Sequence, residues 1–184
     1  MKQKLKLILG ITGFIVVIVA VAFMYNRLKE TIVPADNTGT PEAGKDKAPD
    51  FIMSDTDGNN ISLHEIIANG KPVVLNFWAS WCPPCKGEMP EFETVYREFG
   101  NEVQFIMINL ADGQRETVET GTKYIKDQGY TFPVYFDTKL DGASSYGINS
   151  IPTTLFIDKD GYISTQVIGS INENALKSEI EKIR

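Results

Sequence analysis

Cys82 and Cys85 are the only two cysteines in a chain of 184 residues, and they stand together in Trp81-Cys82-Pro83-Pro84-Cys85. The apolar run Val73–Trp78 ahead of them reads as a strand buried on both faces, and Pro83 to Phe99 reads as a helix. The pair therefore sits where a strand ends and a helix begins. A thiol in the first helical turn meets the positive end of the dipole and unpaired backbone amides, which favour its thiolate. Thiolate is the attacking species in disulfide exchange. Cys85 shares the helical face of Cys82 and can close a ring with it. This spacing makes Cys82 the nucleophile and Cys85 the resolving thiol.

Other uses of two cysteines fit less well. A zinc site needs more soft ligands than this CxxC and the single histidine, His64, supply, so neither a metal nor a cofactor beyond the redox disulfide is expected. A structural disulfide closing so short a ring restrains the unfolded chain little. A peroxidase needs threonine or serine three residues before its attacking cysteine, and Ala79 stands there. Pro83 and Pro84 shape the site because neither donates an amide to the Cys82 sulfur, which leaves the amides of Cys85 and Lys86. With no histidine between the cysteines, the thiolate is weakly held. The expected potential lies nearer the roughly −270 mV of a reducing dithiol protein than the roughly −120 mV of an oxidase.

On the same helix, Cys85, Glu88, Met89, Phe92, Val95, Tyr96 and Phe99 form one stripe, with Glu91, Glu93, Arg97 and Glu98 outside it. Glu88 is the odd carboxylate on the inward side, one turn past Cys85. Burial would raise its pKa towards neutrality, which suits a general base; a first-turn glutamate meeting the helix dipole from the surface is the alternative. Pro90 falls inside the helix and should kink it. Trp78 reads as core, and Trp81 as a cover for the sulfur and a contact for substrate. His64 reads as a bystander on a short early helix, and Asp112, Glu116 and Glu119 as a solvated acidic face.

The chain's formal charge of −6 argues against nucleic acid, which needs a basic stripe. Its distribution is uneven. Residues 1–30 hold Lys2, Lys4, Lys6, Arg27 and Lys29 against Glu30, a balance of +4 that leaves −10 for the rest. Residues 7–25 carry no formal charge and approach the ~20 residues that cross a bilayer. Lysines ahead of them favour a cytoplasmic N-terminus and an extracytoplasmic remainder. A cleaved signal peptide is the rival, with Ala20-Val21-Ala22 as its cleavage region, although the apolar run continues through Phe23, Met24 and Tyr25. The expected organisation is a membrane anchor over 1–30, a flexible linker over 31–49 and one folded domain over 50–184.

Within that domain, Phe51–Ser54 and Ile61–Leu63 flank a turn and predict a hairpin. Ser62 and Glu65 form a capping-box pattern opening a short helix. Further strands are expected over 103–110, 132–136, 153–158 and 162–167, with helices over 116–128, near Ser144, and from a second capping box of Ser170 and Glu173 through about Lys182. Alternating strands and helices followed by a hairpin give an α/β fold: a mixed central sheet flanked by helices on both faces.

NFWASWCPPCKGEMPEFE, followed by Ser150-Ile151-Pro152-Thr153-Thr154-Leu155-Phe156-Ile157-Asp158, resembles the thioredoxin superfamily, in particular its membrane-anchored TlpA/ResA-like thiol–disulfide oxidoreductases. The resemblance spans roughly residues 48–184. It implies a thioredoxin-like fold with an N-terminal hairpin extension and a crossover insertion. It also implies that Pro152 is a cis-proline packed on the disulfide, with Trp81, Ile151, Pro152 and Thr153 meeting substrate. Asn76 departs from ordinary thioredoxin, whose aspartate at this position takes the second cysteine's proton. Glu88 is the candidate substitute, in the matching CxxC-Lys-x-Glu pattern. The implied function is reduction of disulfides in exported proteins, such as apocytochrome c or a thiol-dependent repair enzyme, by a monomer recharged from a CcdA/DsbD-type membrane electron carrier. A disulfide-forming oxidase and a non-catalytic binding adaptor are the alternatives.

Overall fold

The computed structural model describes Met24 and residues 46–184. The expected anchor over 7–25, Met24 apart, and the linker as far as residue 45 lie outside the described residues. Among the described residues, no helix is long and apolar enough to cross a membrane. Residues 46–49, expected at the end of the linker, are bound to the domain: Lys47 bridges Tyr162, the Ala48 amide donates to the Gly161 carbonyl at 2.9 Å, and the Pro49 carbonyl accepts the Tyr146 hydroxyl at 2.8 Å.

The elements run β1 (Ile52–Ser54), β2 (Asn60–Ser62), α1 (Leu63–Ile67), β3 (Val73–Trp78), α2 (Pro83–Phe99), β4 (Gln104–Asn109), α3 (Val118–Gln128), β5 (Val134–Phe136), α4 (Asp141–Ser145), β6 (Thr153–Ile157), β7 (Ile163–Ile168) and α5 (Glu173–Ile183). Seven strands form one sheet in the order β2-β1-β5-β4-β3-β6-β7. β3, β4 and β5 pair in parallel, while β1, β2, β6 and β7 join antiparallel. This is the expected mixed sheet, and β3, which delivers the cysteines, lies inside it with neighbours on both sides.

Alternation along β3 sorts its side chains between two cores. Val74 and Trp78 face the cluster under α2 and α5, with Met89, Phe92, Val95, Leu176 and Ile180. Val73, Leu75 and Phe77 face the other, with Leu63 and Ile66 of α1, Phe51 and Tyr146. β3 is buried at every position, as its uninterrupted apolar run requires. Asn76 falls on the α2 side of the sheet by the same alternation, the one polar side chain there between Val74 and Trp78.

Local chemistry sets the boundaries. The Ser62–Glu65 capping box forms, and Asp50 adds a second acceptor for the His64 amide at 3.0 Å. β5 begins only at Val134 because Pro133 has no amide to give the ladder; its carbonyl still accepts the Met107 amide at 3.2 Å. The second capping box does not form. Asn172, rather than Ser170, caps α5 by accepting the Ala175 amide at 3.0 Å, while the Ser170 hydroxyl donates to the Pro84 carbonyl at 3.1 Å. Glu93, expected outside the inward stripe of α2, is also covered. It is buried and accepts the Thr131 amide and hydroxyl, each at 2.8 Å, which fastens α2 to the segment leading into β5.

Candidate active site

Cys82 is the N-cap of α2, with extended backbone, and Pro83 and Pro84 occupy the first helical positions, where a missing amide costs nothing. The two sulfurs are joined in a disulfide of 2.06 Å. Cys85 is fully covered and Cys82 is 2% exposed, at the mouth of a helix of 17 residues. The Cys85 amide points at the Cys82 sulfur from 3.2 Å. The Lys86 amide, expected to join it, donates instead to the Cys82 carbonyl at 3.1 Å, completing the first helical turn. One backbone amide therefore serves the sulfur where two were expected.

The Ile151–Pro152 peptide is cis, and Pro152 is buried. This loop faces the disulfide: the Ile151 carbonyl oxygen lies 3.8 Å from the Cys82 sulfur. Ile151 is half-buried at the rim. Thr153 is buried, its hydroxyl donating to the Ser150 carbonyl at 2.8 Å, so its side chain shapes the loop from within. Pro83 and Pro84 are exposed, and Trp81 is 39% exposed beside the pair. Trp78 is core. His64 is held by the short helix α1, with Nε2 3.0 Å from the Ala48 carbonyl oxygen.

Glu88 lies on the inner face of α2, 3% exposed, among Cys85, Met89 and Phe92. Its Oε1 accepts from Asn76 Nδ2 at 2.9 Å, and its Oε2 accepts the Ile171 amide at 3.0 Å. The second Asn76 amide hydrogen goes to the Thr154 hydroxyl oxygen at 3.0 Å, across the β3–β6 pairing that sets these residues opposite one another. Burial pushes the Glu88 carboxyl up to about 7, against the pull of the Ile171 and Asn76 donors. A carboxyl poised there exchanges a proton at neutral pH. Thr154 and the Ile171 amide were not singled out in the sequence; the signal for Thr154 was a second polar residue in a strand otherwise buried throughout.

The acidic face expected around residue 112 divides. Glu119 is exposed, but Glu116 is fully buried and accepts from Ser80 and Asn109. Trp81 carries a cation on its ring: the Arg115 guanidinium carbon stands 3.6 Å from the centroid.

Residues 45–166 match the AhpC/TSA family. A curated relative, the thiol-disulfide oxidoreductase ResA of Bacillus subtilis, is 30% identical over all of this chain and 97% of its own length. ResA of Geobacillus thermodenitrificans is 33% identical over 74% of this chain and 76% of the relative. Among solved structures, StoA from Bacillus subtilis superposes with a TM-score of 0.62 at 32% identity, over 72% of this chain and 96% of that one.

Proposed function

Since the chain belongs to the AhpC/TSA family of the thioredoxin superfamily, and within it to the ResA-type thiol–disulfide oxidoreductases, we propose that it reduces disulfides in exported proteins. The observation that carries this reading is the Cys82–Cys85 pair at the mouth of α2 with the buried carboxyl of Glu88 one turn below. In the reduced enzyme, the Cys82 thiolate attacks one sulfur of a substrate disulfide. The substrate's other sulfur leaves as a thiolate and takes a proton from solvent. Glu88 then accepts the Cys85 proton, and the Cys85 sulfur attacks Cys82. This closes the Cys82–Cys85 disulfide and releases the second substrate thiolate. Two electrons have passed from enzyme to substrate, and a dithiol carrier must return them. Trp81, Ile151 and Pro152 form the rim against which an extended substrate segment lies, its backbone pairing with Ile151. Thr153 and Asn76 hold that rim and Glu88 in place.

The lysine-flanked apolar stretch over 7–25 supports a domain tethered outside the membrane. In that position, a CcdA/DsbD-type membrane carrier is the electron source, and apocytochrome c or a thiol-dependent repair enzyme is the substrate. What supports reduction over oxidation is how few donors face the Cys82 sulfur: in the disulfide form one amide, at 3.2 Å, and no histidine stands between the cysteines. An oxidant of the DsbA kind owes its strength to a well-stabilised reduced form. The expected midpoint of the full-length chain, equilibrated in detergent against thiol–disulfide buffers, is about −270 mV. A midpoint above about −180 mV would make it an oxidase instead.

A further inference from the structure

The exchange steps make no use of Glu116, yet it is among the most thoroughly bonded side chains near the disulfide. It sits on the loop between β4 and α3 and is 0% exposed. Its Oε2 accepts the Ser80 amide at 3.1 Å and the Ser80 hydroxyl at 2.7 Å, and its Oε1 accepts Asn109 Nδ2 at 2.9 Å. Three donors thus converge on one buried carboxyl group, and removing any acceptor there would leave a buried donor unsatisfied. Because Ser80 precedes Trp81 and Cys82, these bonds clasp the loop onto the turn that carries the nucleophile. Gly121 leaves room for the clasp: a Cβ there would stand 2.9 Å from the Asn109 side chain.

The loop is also folded from within. Asp112 Oδ1 accepts the amides of Gln114 and Arg115 at 2.8 Å and of Glu116 at 3.1 Å. Gly113 takes the left-handed conformation, φ 74°, and donates to the Glu116 carbonyl at 2.9 Å. All of this fixes the position of Arg115, whose guanidinium stacks on Trp81. Arg97 and Arg184 are paired with carboxylates, but among the described residues Arg115 has none within 4.0 Å. Asp112 is the nearest acid on its own loop, held low first by the Gln114 amide, with the Arg115 charge the weakest contributor. Stacking uses the flat face of the guanidinium and leaves its edge donors for a partner in the same plane. The cation is notable in residues 46–184, which hold 12 Lys and Arg against 21 Asp and Glu.

We propose that Arg115 is a specificity-determining residue: seated on Trp81, its fork binds a carboxylate beside the target disulfide of the incoming protein, and Glu116 positions it. This deepens the exchange reading above and rests on it. The test compares two disulfide peptides of one sequence, flanked either by Asp and Glu or by Asn and Gln, with the full-length chain in detergent. Arg115→Ala is expected to raise KM for the acidic peptide about fivefold, with kcat unchanged and the amide peptide unaffected. Arg115→Lys restores this only in part, because an ammonium lacks the planar fork. Glu116→Gln, which keeps the shape of the clasp but weakens it, moves KM the same way by less. Added salt shrinks the wild-type preference. Equal losses on both peptides, or a shifted pH profile of Cys82 alkylation, would show that Arg115 acts on the sulfur and overturn the proposal; so would no change. If the wild type reduces neither peptide, the exchange reading falls and takes this one with it.

Discussion

Cys85→Ala is expected to arrest the enzyme on its substrate. With Cys82 intact, the first attack proceeds and a Cys82–substrate mixed disulfide forms; without a thiol at position 85, nothing inside the protein displaces it. The trap lasts because the displacing thiol, which the Cys82–Cys85 spacing supplies within the same chain, is gone, and an external thiol replaces it only as a slower bimolecular reaction. Turnover of a disulfide substrate should fall to the uncatalysed background, and non-reducing gels should show a thiol-sensitive adduct. Cys82→Ala should fall to the same background with no adduct, because the fully buried Cys85 meets no substrate. Adducts of similar yield from both variants would contradict the division of roles between the two sulfurs.

Glu88→Gln should cost the resolving step about a hundredfold or more, the usual contribution of a positioned general base. It should also remove the rate dependence on pH near 7. The same substitution has a second, independent signature in stability. Burial raises the Glu88 carboxyl in the folded chain from 4.5 to about 7, so the folded state holds its proton where the unfolded state has lost it. The contribution of Glu88 to stability is therefore fully present below about pH 4.5 and is lost as pH rises through about 7. A shift of this size corresponds to roughly 3 kcal/mol. Urea midpoints of the wild type should fall over that window, and those of Glu88→Gln should fall less, with the variant the more stable protein at pH 8. Parallel stability curves together with an unchanged resolving rate would remove Glu88 from the mechanism.

What the sequence displayed was whatever its local pattern determines. β3 and α2 run from Val73 to Trp78 and from Pro83 to Phe99, as read, because Pro72, the proline pair and Gly100 punctuate them. Glu88 was legible as an intruder because helical periodicity alone placed it on the buried stripe of Cys85, Met89 and Phe92. Glu93 and Glu116 were misread for the converse reason: each is covered by a partner far along the chain, Thr131 and Ser80 respectively, and no periodicity carries that information. Ser170 failed in the same way. Its Ser-x-x-Glu pattern is a valid cap signal, but its hydroxyl is taken by the Pro84 carbonyl, and Asn172 caps the helix instead. The Lys86 amide was drawn from the sulfur by the first α-helical hydrogen bond to the Cys82 carbonyl. The clasp that holds Arg115 over Trp81 joins three segments and had no signature in any one of them.

The central claim is that Cys82 and Cys85 carry electrons between proteins. It is tested most directly by alkylating the full-length chain with iodoacetamide, before and after reduction by dithiothreitol, and locating the adducts by mass spectrometry. No adduct is expected on the oxidised chain. After reduction Cys82 should be modified rapidly, at a rate rising with pH as the thiolate forms, while Cys85 stays slow. Sulfurs that remain sealed in both redox states, or a disulfide that resists reduction altogether, would mark the pair as a structural brace and rule out electron transfer through it.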